Sequence, residues 1–194
     1  MLQGVCAPGI SAYVNLTVNP LPTIIIAASP YQKLFPGLRT TLSSTVSPAA
    51  QTGGYTWLRN GVVVPNANAS SLIVGVDGLG DYTLKVKDVN GCENTSNKVS
   101  LTDSASGRVF IYPNPNSGQF QVRYYSIINN TGLPRGINVY DARGKRVLIQ
   151  TYTINAPYAR MDVNLSNHGT GVYWIEVVDV VGNRLAMGRV EVLR

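Results

Sequence analysis

The sequence predicts an all-β protein of two antiparallel β-sandwiches in tandem. Short stretches that alternate apolar and polar residues recur along the chain, and none has the period of a helix. The 19 glycines and 11 prolines place turns between these stretches. Lys and Arg outnumber Asp and Glu ten to five in residues 108–194 but only six to five in residues 1–107. This change of charge supports a division into two small domains, each with its own core.

Residues 20–103 are predicted to form the first sandwich. Seven short strands are expected there, over residues 23–28, 38–46, 54–59, 62–64, 71–74, 81–87 and 98–102. Asn60-Gly61 predicts a tight hairpin turn. Trp57 lies where an immunoglobulin-like domain has its core tryptophan, and residues 80–86 resemble the tyrosine corner of that fold. The segment therefore resembles the immunoglobulin-like repeats of Bacteroidota surface proteins, and this resemblance implies a spacer.

Residues 1–19 are interpreted as the last strand of a preceding repeat plus a linker. The segments after Cys6 and after Cys92 both pass through a polar turn into a strand that ends in Val-x-Leu-Thr, which indicates an internal repeat. The alternative, that the segment is the first strand of the next domain, stays open. Two cysteines allow one bridge at most, so Cys92 is either a free thiol or bonded to Cys6.

Residues 108–194 are predicted to form a second sandwich of seven strands. These strands are expected over residues 109–112, 119–125, 136–140, 146–152, 160–165, 171–179 and 184–193. Proline has no amide hydrogen to donate and restricts the residue before it, so Tyr112-Pro113-Asn114-Pro115 should be an extended connector without pairing partners. Gly118 supplies the turn into the following strand.

This second half resembles the C-terminal sorting domain, of type A, that is carried by cargo of the type IX secretion system of Bacteroidota. The Tyr-Pro-Asn-Pro-x-x-Gly-x-Phe run resembles its opening, residues 139–147 resemble its central hairpin, and residues 162–166 and 171–177 resemble its late strands. The sorting-motif residues that the resemblance implies are Tyr112, Pro113, Asn114, Pro115, Gly118, Phe120, Gly144, Gly171 and Tyr173.

The resemblance implies the C-terminal end of a secreted or cell-surface protein that is exported through the periplasm. Its partners would be the outer-membrane translocon and the sortase of the type IX system, with anionic lipopolysaccharide as the surface that receives the cargo. The sortase cut is expected in the linker 104–107 or at the residue before it, because these residues are small, polar and predicted to be flexible. The candidate cleavage residues are Asp103, Ser104, Ala105, Ser106 and Gly107. Arg143, Lys145 and Arg146 form the densest basic cluster and are candidate docking residues.

Catalytic and metal sites have little support in the sequence. His168 is the only histidine, which excludes a two-histidine zinc site and leaves a histidine-based triad only this residue of a predicted turn. Asp77, Asp81 and Asp88 lie in predicted turns without calcium-loop spacing, so their expected role is turn stabilisation. We therefore expect no enzyme, no metal and no cofactor in these residues.

The charge and hydropathy of the chain limit other partners. The basic half lacks a recognition helix, zinc-ligand spacing and an RNA-binding motif, so nucleic acid is not an expected partner. The longest aliphatic run, residues 24–28, is too short for membrane insertion. The alternative function is a carbohydrate-binding or adhesin module, in which Trp174 and exposed tyrosines would stack on sugar rings.

Overall fold

The regular structure of the described residues consists of β-strands and one short 3₁₀ turn at Val76–Gly78. The computed structural model describes residues 18–128 and 132–193. The first nine strands are β1 (Thr23–Ser29), β2 (Lys33–Leu34), β3 (Arg39–Ser47), β4 (Ala50–Arg59), β5 (Val62–Val63), β6 (Ser71–Gly75), β7 (Gly80–Asp88), β8 (Glu93–Thr95) and β9 (Val99–Asp103). Within the described ranges no helix is long and apolar enough to cross a membrane.

The first sandwich, β1–β9, has one sheet in the order β1-β3-β6 and a second in the order β2-β9-β7-β4-β5, with β8 also paired to β7. The pairs are antiparallel except β2 with β9, which is parallel. All seven predicted strands are present, and β2 and β8 are additional. These two strands span two and three residues, too few to show an alternation in the sequence.

The core of the first sandwich forms around Trp57, which is fully buried. Trp57 lies opposite the buried Leu84 in the β4–β7 pair, and its indole Nε1 donates a 2.9 Å hydrogen bond to the carbonyl of Ala69. The Tyr82 hydroxyl donates a 2.6 Å hydrogen bond to the carbonyl of Gly78. The predicted core tryptophan and tyrosine corner are therefore confirmed.

The second sandwich, β10–β16, has the seven strands that the sequence predicts. They are β10 (Phe110–Tyr112), β11 (Gln119–Arg123), β12 (Leu133–Tyr140), β13 (Arg146–Ile154), β14 (Met161–Asn164), β15 (Gly171–Val178) and β16 (Arg184–Val192). One sheet has the order β10-β11-β14 and the other the order β13-β12-β15-β16. The alternation in β14 puts Met161 and Val163 in the core between the sheets, as predicted.

Two predictions for the amino-terminal region concern residues that lie mostly outside the described ranges. The predicted terminal strand of a preceding repeat and the internal repeat that starts at Cys6 lie in residues 1–17, outside the described residues. Cys92 is half-buried just before β8. The Cys6–Cys92 bridge therefore stays a prediction.

Candidate functional site

The predicted sorting motif begins where β10 ends. Tyr112 is the last residue of that strand, and the Tyr112–Pro113 and Asn114–Pro115 bonds are both cis. From here the chain leaves the sheet of β10 and runs beside β16, which is the edge strand of the other sheet. The motif therefore joins the two sheets of the second sandwich at one end.

The side chain of Asn114 pairs with the backbone of β16. Its Nδ2 donates a 3.0 Å hydrogen bond to the carbonyl of Arg189, and its Oδ1 accepts a 3.0 Å hydrogen bond from the amide of Glu191. A peptide group of a neighbouring strand would form the same two bonds. The carboxamide thus takes the place of backbone pairing in a stretch where prolines remove the amide donors.

Asn116 continues the same pairing with its own backbone. Its amide donates to the carbonyl of Glu191 at 3.0 Å, and its carbonyl accepts from the amide of Leu193 at 2.8 Å. Its side-chain Oδ1 accepts a 2.7 Å bond from Gly118, and its Nδ2 donates to the carbonyl of Pro113 at 3.2 Å. Asn116 is 8% exposed, so these bonds satisfy polar groups that water reaches poorly.

The prediction of an unpaired connector at residues 112–115 was wrong. The prolines do remove backbone donors, but the Asn114 side chain pairs with β16, and the Asn116 backbone extends that pairing. The consequence is a covered edge on the last strand of the sheet. The asparagine clamp, which we define as Asn114 and Asn116 with their β16 partners, also holds the described end of the chain in place.

Gly118 and Phe120 connect the clamp to the core. Gly118 has φ +102°, and a Cβ there would lie 3.0 Å from the Ser166 backbone, so a larger residue would be strained and crowded. Its carbonyl accepts a 2.6 Å bond from Leu165. Phe120, two residues later in β11, is 4% exposed in the core. These two motif residues therefore have structural roles.

Gly144 occupies the tip of the β12–β13 hairpin, in the segment from Asp141 to Lys145. The Asp141 carboxylate accepts 2.9 Å bonds from the amides of Arg143 and Lys145, and Gly144 has φ +78°. The same pattern recurs in the β7–β8 and β15–β16 hairpins, where Asp88 and Asp179 accept from the amides two and four residues later.

Arg143, Lys145 and Arg146 are all exposed around this hairpin tip. No ion pair joins any of the three to a carboxylate within the described residues. The structure thus leaves the predicted docking cluster accessible to a partner.

Gly171 and Tyr173 form a second tyrosine corner. The Tyr173 hydroxyl donates a 2.6 Å bond to the carbonyl of Gly169, four residues earlier, as Tyr82 does to Gly78. Gly171 has φ +147° and the equivalent Gly80 has φ +144°. The corner anchors the start of β15 to the preceding turn, and the two sandwiches share this device.

The candidate cleavage linker is bonded to both sandwiches. The Ser104 amide donates a 2.8 Å bond to the carbonyl of Leu34, and the Ser104 carbonyl accepts a 2.7 Å bond from the Tyr158 hydroxyl. The Tyr125 hydroxyl hydrogen-bonds the Asp103 carboxylate, which raises the pKa of Tyr125. The expectation of a flexible linker is therefore corrected: Ala105 and Gly107 are exposed, but Ser104 is held on both sides.

Arg123 joins the second sandwich to the first. Its side chain is 5% exposed and contacts the Asp77 carboxylate through two bonds, Nη1 to Oδ1 at 2.5 Å and Nη2 to Oδ2 at 3.0 Å. Nη1 also donates to the carbonyl of Tyr158, and Nε donates to Gln121, each at 3.0 Å. Such a two-bond guanidinium–carboxylate pair fixes orientation as well as distance.

Aromatic rings pack in the same interface. Phe110 stacks on Phe35 at a centroid distance of 5.6 Å and meets the edge of Tyr158 at 5.9 Å. Tyr125 lies 5.4 Å from Tyr158. Burial raises the pKa of Tyr158, so its hydroxyl keeps the proton that it donates to the linker. The linker, the ion pair and the rings form one continuous contact between the sandwiches.

The polar residues that were considered for catalysis or metal binding form ordinary ion pairs and hydrogen bonds. The expected role in turn stabilisation is confirmed for Asp88, whose carboxylate accepts two amides of the following turn. It was wrong for Asp77, which pairs with Arg123, and for Asp81, which lies in β7 and bonds Lys98 and Ser100. His168 lies in a turn, and its backbone amide donates a hydrogen bond to the carbonyl of Leu165. In residues 18–128 and 132–193 no three His, Cys, Asp or Glu side chains cluster closely enough to hold a metal ion.

Comparison with known protein families gives one match within the second sandwich. The family model of the secretion system C-terminal sorting domain matches residues 110–184. The match begins at the first residue of β10 and ends at the first residue of β16. The match therefore falls on the second sandwich, which is similar to this family of secretion-system sorting domains. No curated protein matches the chain.

Solved structures resemble the chain only loosely. Dimeric latent PorU from Porphyromonas gingivalis has 14% identity and a TM-score of 0.39, over 96% of this chain and 21% of that one. The fibronectin(III)-like modules of Clostridium thermocellum CbhA have 12% identity and a TM-score of 0.35, over 88% and 93%. The Bacteroides ovatus glucan-utilisation protein SGBP-B has 15% identity and a TM-score of 0.35, over 91% and 48%. The chain spans about a fifth of PorU.

Sequence reasoning missed three contributors around the sorting domain. They are Asn116, Arg123 and Tyr158, none of which the sequence analysis identifies as a candidate functional residue. Arg123 does lie on the polar face of β11, but that face meets the first sandwich instead of water. The available signal was the asparagine repeat at 114 and 116, because asparagine side chains substitute for missing backbone bonds.

Proposed function

We propose that this chain is the C-terminal end of an exported cell-surface protein, in which the second sandwich is the sorting signal and the first is a spacer. The observation that carries the proposal is the sorting-domain match at residues 110–184, which falls on one folded sandwich. The motif residues build its turns, its corner and its covered edge. The export machinery would therefore recognise a folded surface, and no catalytic role is proposed for these residues.

The partners proposed are the outer-membrane translocon and the sortase of the type IX system, reached through the periplasm. The exposed cluster Arg143, Lys145 and Arg146 is a candidate contact with either. After passage, the sortase would cut in the linker at residues 103–107 and transfer the cargo to anionic lipopolysaccharide.

The contacts of the linker support an order for these steps. A protease needs an extended strand with its amides and carbonyls available, but the Ser104 amide and carbonyl are both engaged. The Arg123–Asp77 pair keeps the two sandwiches in the arrangement that holds Ser104. We therefore propose that cleavage follows separation of the two sandwiches, so that export precedes the cut.

The proposal is tested by a necessity experiment in a host with a type IX system. A reporter fused to the whole chain is compared with one fused to residues 1–107. We expect the whole chain to bring the reporter to the cell surface and the shortened chain to leave it in the periplasm. Equal distribution of the two fusions would contradict the proposal.

A second candidate function is carbohydrate binding by the outer face of the β13-β12-β15-β16 sheet. Trp174 is 43% exposed there, opposite Tyr140 in the β12–β15 pair, with Met187 nearby. Exposed aromatic rings can stack on sugar rings. A glycan array of the purified chain distinguishes carbohydrate binding from sorting. Carbohydrate binding predicts a glycan signal that Trp174→Ala removes, whereas the sorting function alone predicts no such signal.

A further inference from the structure

A cleft of about 680 Å³ lies between the two sandwiches. Its walls come from both, including Arg39 and Asp77 of the first and Arg108, Tyr112 and Arg160 of the second. Small-molecule sites in proteins fall in the same range of volume. We call this feature the arginine cleft.

The lining of the arginine cleft is strongly basic. Five arginines line it, namely Arg39, Arg108, Arg123, Arg160 and Arg189. The single carboxylate among the lining residues is that of Asp77. None of the five lysines of the chain is among the lining residues. The planar guanidinium binds phosphate and sulfate oxygens through two parallel bonds, which an ammonium group cannot do. This selection of arginine favours an oxyanion ligand over a general attraction for negative charge.

The five arginines differ in how they are engaged. Arg123 is used by Asp77, Gln121 and the Tyr158 carbonyl. Arg160 bonds Asp162 at 2.6 Å, and Arg189 lies 3.7 Å from Glu191. Among the described residues no ion pair involves Arg39 or Arg108.

Arg39 and Arg108 are exposed, come from different sandwiches and line the same cleft. The Arg108 guanidinium lies 5.7 Å from the centroid of the Phe110 ring, which limits its freedom to turn away. Arg123 and Asp77, bonded to each other, line the same cleft. An anion between the two sandwiches would therefore meet one guanidinium from each side.

We propose that the arginine cleft binds a small anion with several phosphate or sulfate groups, held mainly by Arg39 and Arg108. The volume of the cleft exceeds what one inorganic phosphate fills, so a ligand with spaced anionic groups uses it best. Such a ligand would also hold the two sandwiches together. This proposal is independent of the export proposal, because it concerns the purified protein alone.

The test is calorimetric titration of the whole chain with three probes, namely inorganic phosphate, inositol hexakisphosphate and a fully sulfated heparin tetrasaccharide. The variant Arg39→Gln/Arg108→Gln removes two of the five arginines that line the cleft. The variant Lys33→Gln/Arg184→Gln removes one exposed charge from each sandwich outside the cleft and is the matched control. Both pairs are exposed, so both variants are expected to fold.

We expect at least one multiply charged probe to bind more tightly than inorganic phosphate. Comparing inositol hexakisphosphate with the heparin tetrasaccharide shows whether the cleft prefers phosphate or sulfate groups. The cleft variant should weaken that binding by about tenfold or more, because it removes the charged hydrogen bonds that these two guanidinium groups would donate to the anion. The control should change it by less than about threefold. Absence of binding, binding no tighter than phosphate, or equal weakening in both variants would overturn the proposal.

Discussion

Asn114 accepts a 3.0 Å hydrogen bond at its side-chain Oδ1 from the backbone amide of Glu191, 77 residues later in the chain. With the bond from its Nδ2 to Arg189, this makes the side chain a substitute for a peptide group. Asn97 does the same in the first sandwich, where its carboxamide pairs with both backbone groups of Ile26. Side-chain amides thus connect segments in both sandwiches that backbone ladders do not join.

Replacing Asn114 by alanine should destabilise the second sandwich by about 1–2 kcal/mol, because two partly exposed hydrogen bonds are lost. Urea unfolding of the whole chain measures the change. Asn155→Ala is the control, since Asn155 is exposed and no side-chain hydrogen bond of it is present among the described residues. A cost for Asn114→Ala no larger than that of the control would show that the clamp contributes nothing.

Removing the Tyr158 hydroxyl should make the linker easier to cut. Tyr158→Phe keeps the buried ring but loses the bond to the Ser104 carbonyl. Local opening should then be about two- to tenfold more frequent, since a hydrogen bond contributes about 0.5–1.5 kcal/mol. Limited proteolysis with subtilisin, with the cut located by mass spectrometry, measures the rate at residues 103–107.

The control for the linker is Tyr152→Phe. The Tyr152 hydroxyl donates to the Asp162 carbonyl inside the second sandwich, so its loss removes a similar bond at another place. We expect it to leave the linker rate nearly unchanged. If both variants accelerate the linker cut alike, general destabilisation is the cause and the specific protection of Ser104 is disproved.

The two tyrosine corners should act on their own sandwiches. Tyr82→Phe and Tyr173→Phe each remove one 2.6 Å bond and should cost about 0.5–1.5 kcal/mol. The chain has two tryptophans, and in a Trp174→Phe background the fluorescence of Trp57 reports the first sandwich. Tyr82→Phe should shift the unfolding transition that Trp57 fluorescence reports more than Tyr173→Phe does. Equal shifts would indicate that the sandwiches unfold as one unit.

The β15–β16 hairpin should contribute stability that depends on pH. Partial burial raises the pKa of Asp179, but bonds from Asn183, Val181 and Gly182 outweigh it and lower the pKa overall. A lowered folded-state pKa means that the stabilisation is present above the unfolded value of about 3.9 and is lost as the pH falls through the folded value.

The measurement for Asp179 is chemical denaturation of wild type and Asp179→Asn at two pH values. The difference in unfolding free energy between wild type and Asp179→Asn should be larger at neutral pH. It should be smaller at a pH about two units below the unfolded pKa of about 3.9. A gap that stays constant, or grows as the pH falls, would contradict the assigned role of the carboxylate.

Local patterns in the sequence were sufficient for most of the fold. Alternation and turn residues were sufficient for the principal strands. Tyr82 has the predicted place, and its bonding partner Gly78 lies only four residues earlier in the chain. The second corner had the same local signal, since residues 169–173 repeat the Gly-x-Gly-x-Tyr pattern of residues 78–82.

Contacts across long sequence distances were not predictable in this way. The partners of Asn114 lie 75 and 77 residues away, and Asp77 lies 46 residues from Arg123. An alternating strand shows which residues face away from the core of its own sandwich. It does not show whether that face meets water or another domain, so the bonded linker and the arginine cleft could be found only in the folded arrangement.

A sufficiency experiment tests whether the second sandwich alone acts as the export signal. Residues 104–194 are fused to a periplasmic reporter in cells with and without a working type IX system, and the surface fraction of the reporter is measured. Resistance of the fused sandwich to proteolysis confirms that it is folded. We expect the reporter at the cell surface only in cells with the working system. A folded fusion that stays in the periplasm of those cells would disprove the role of the second sandwich as a sorting signal.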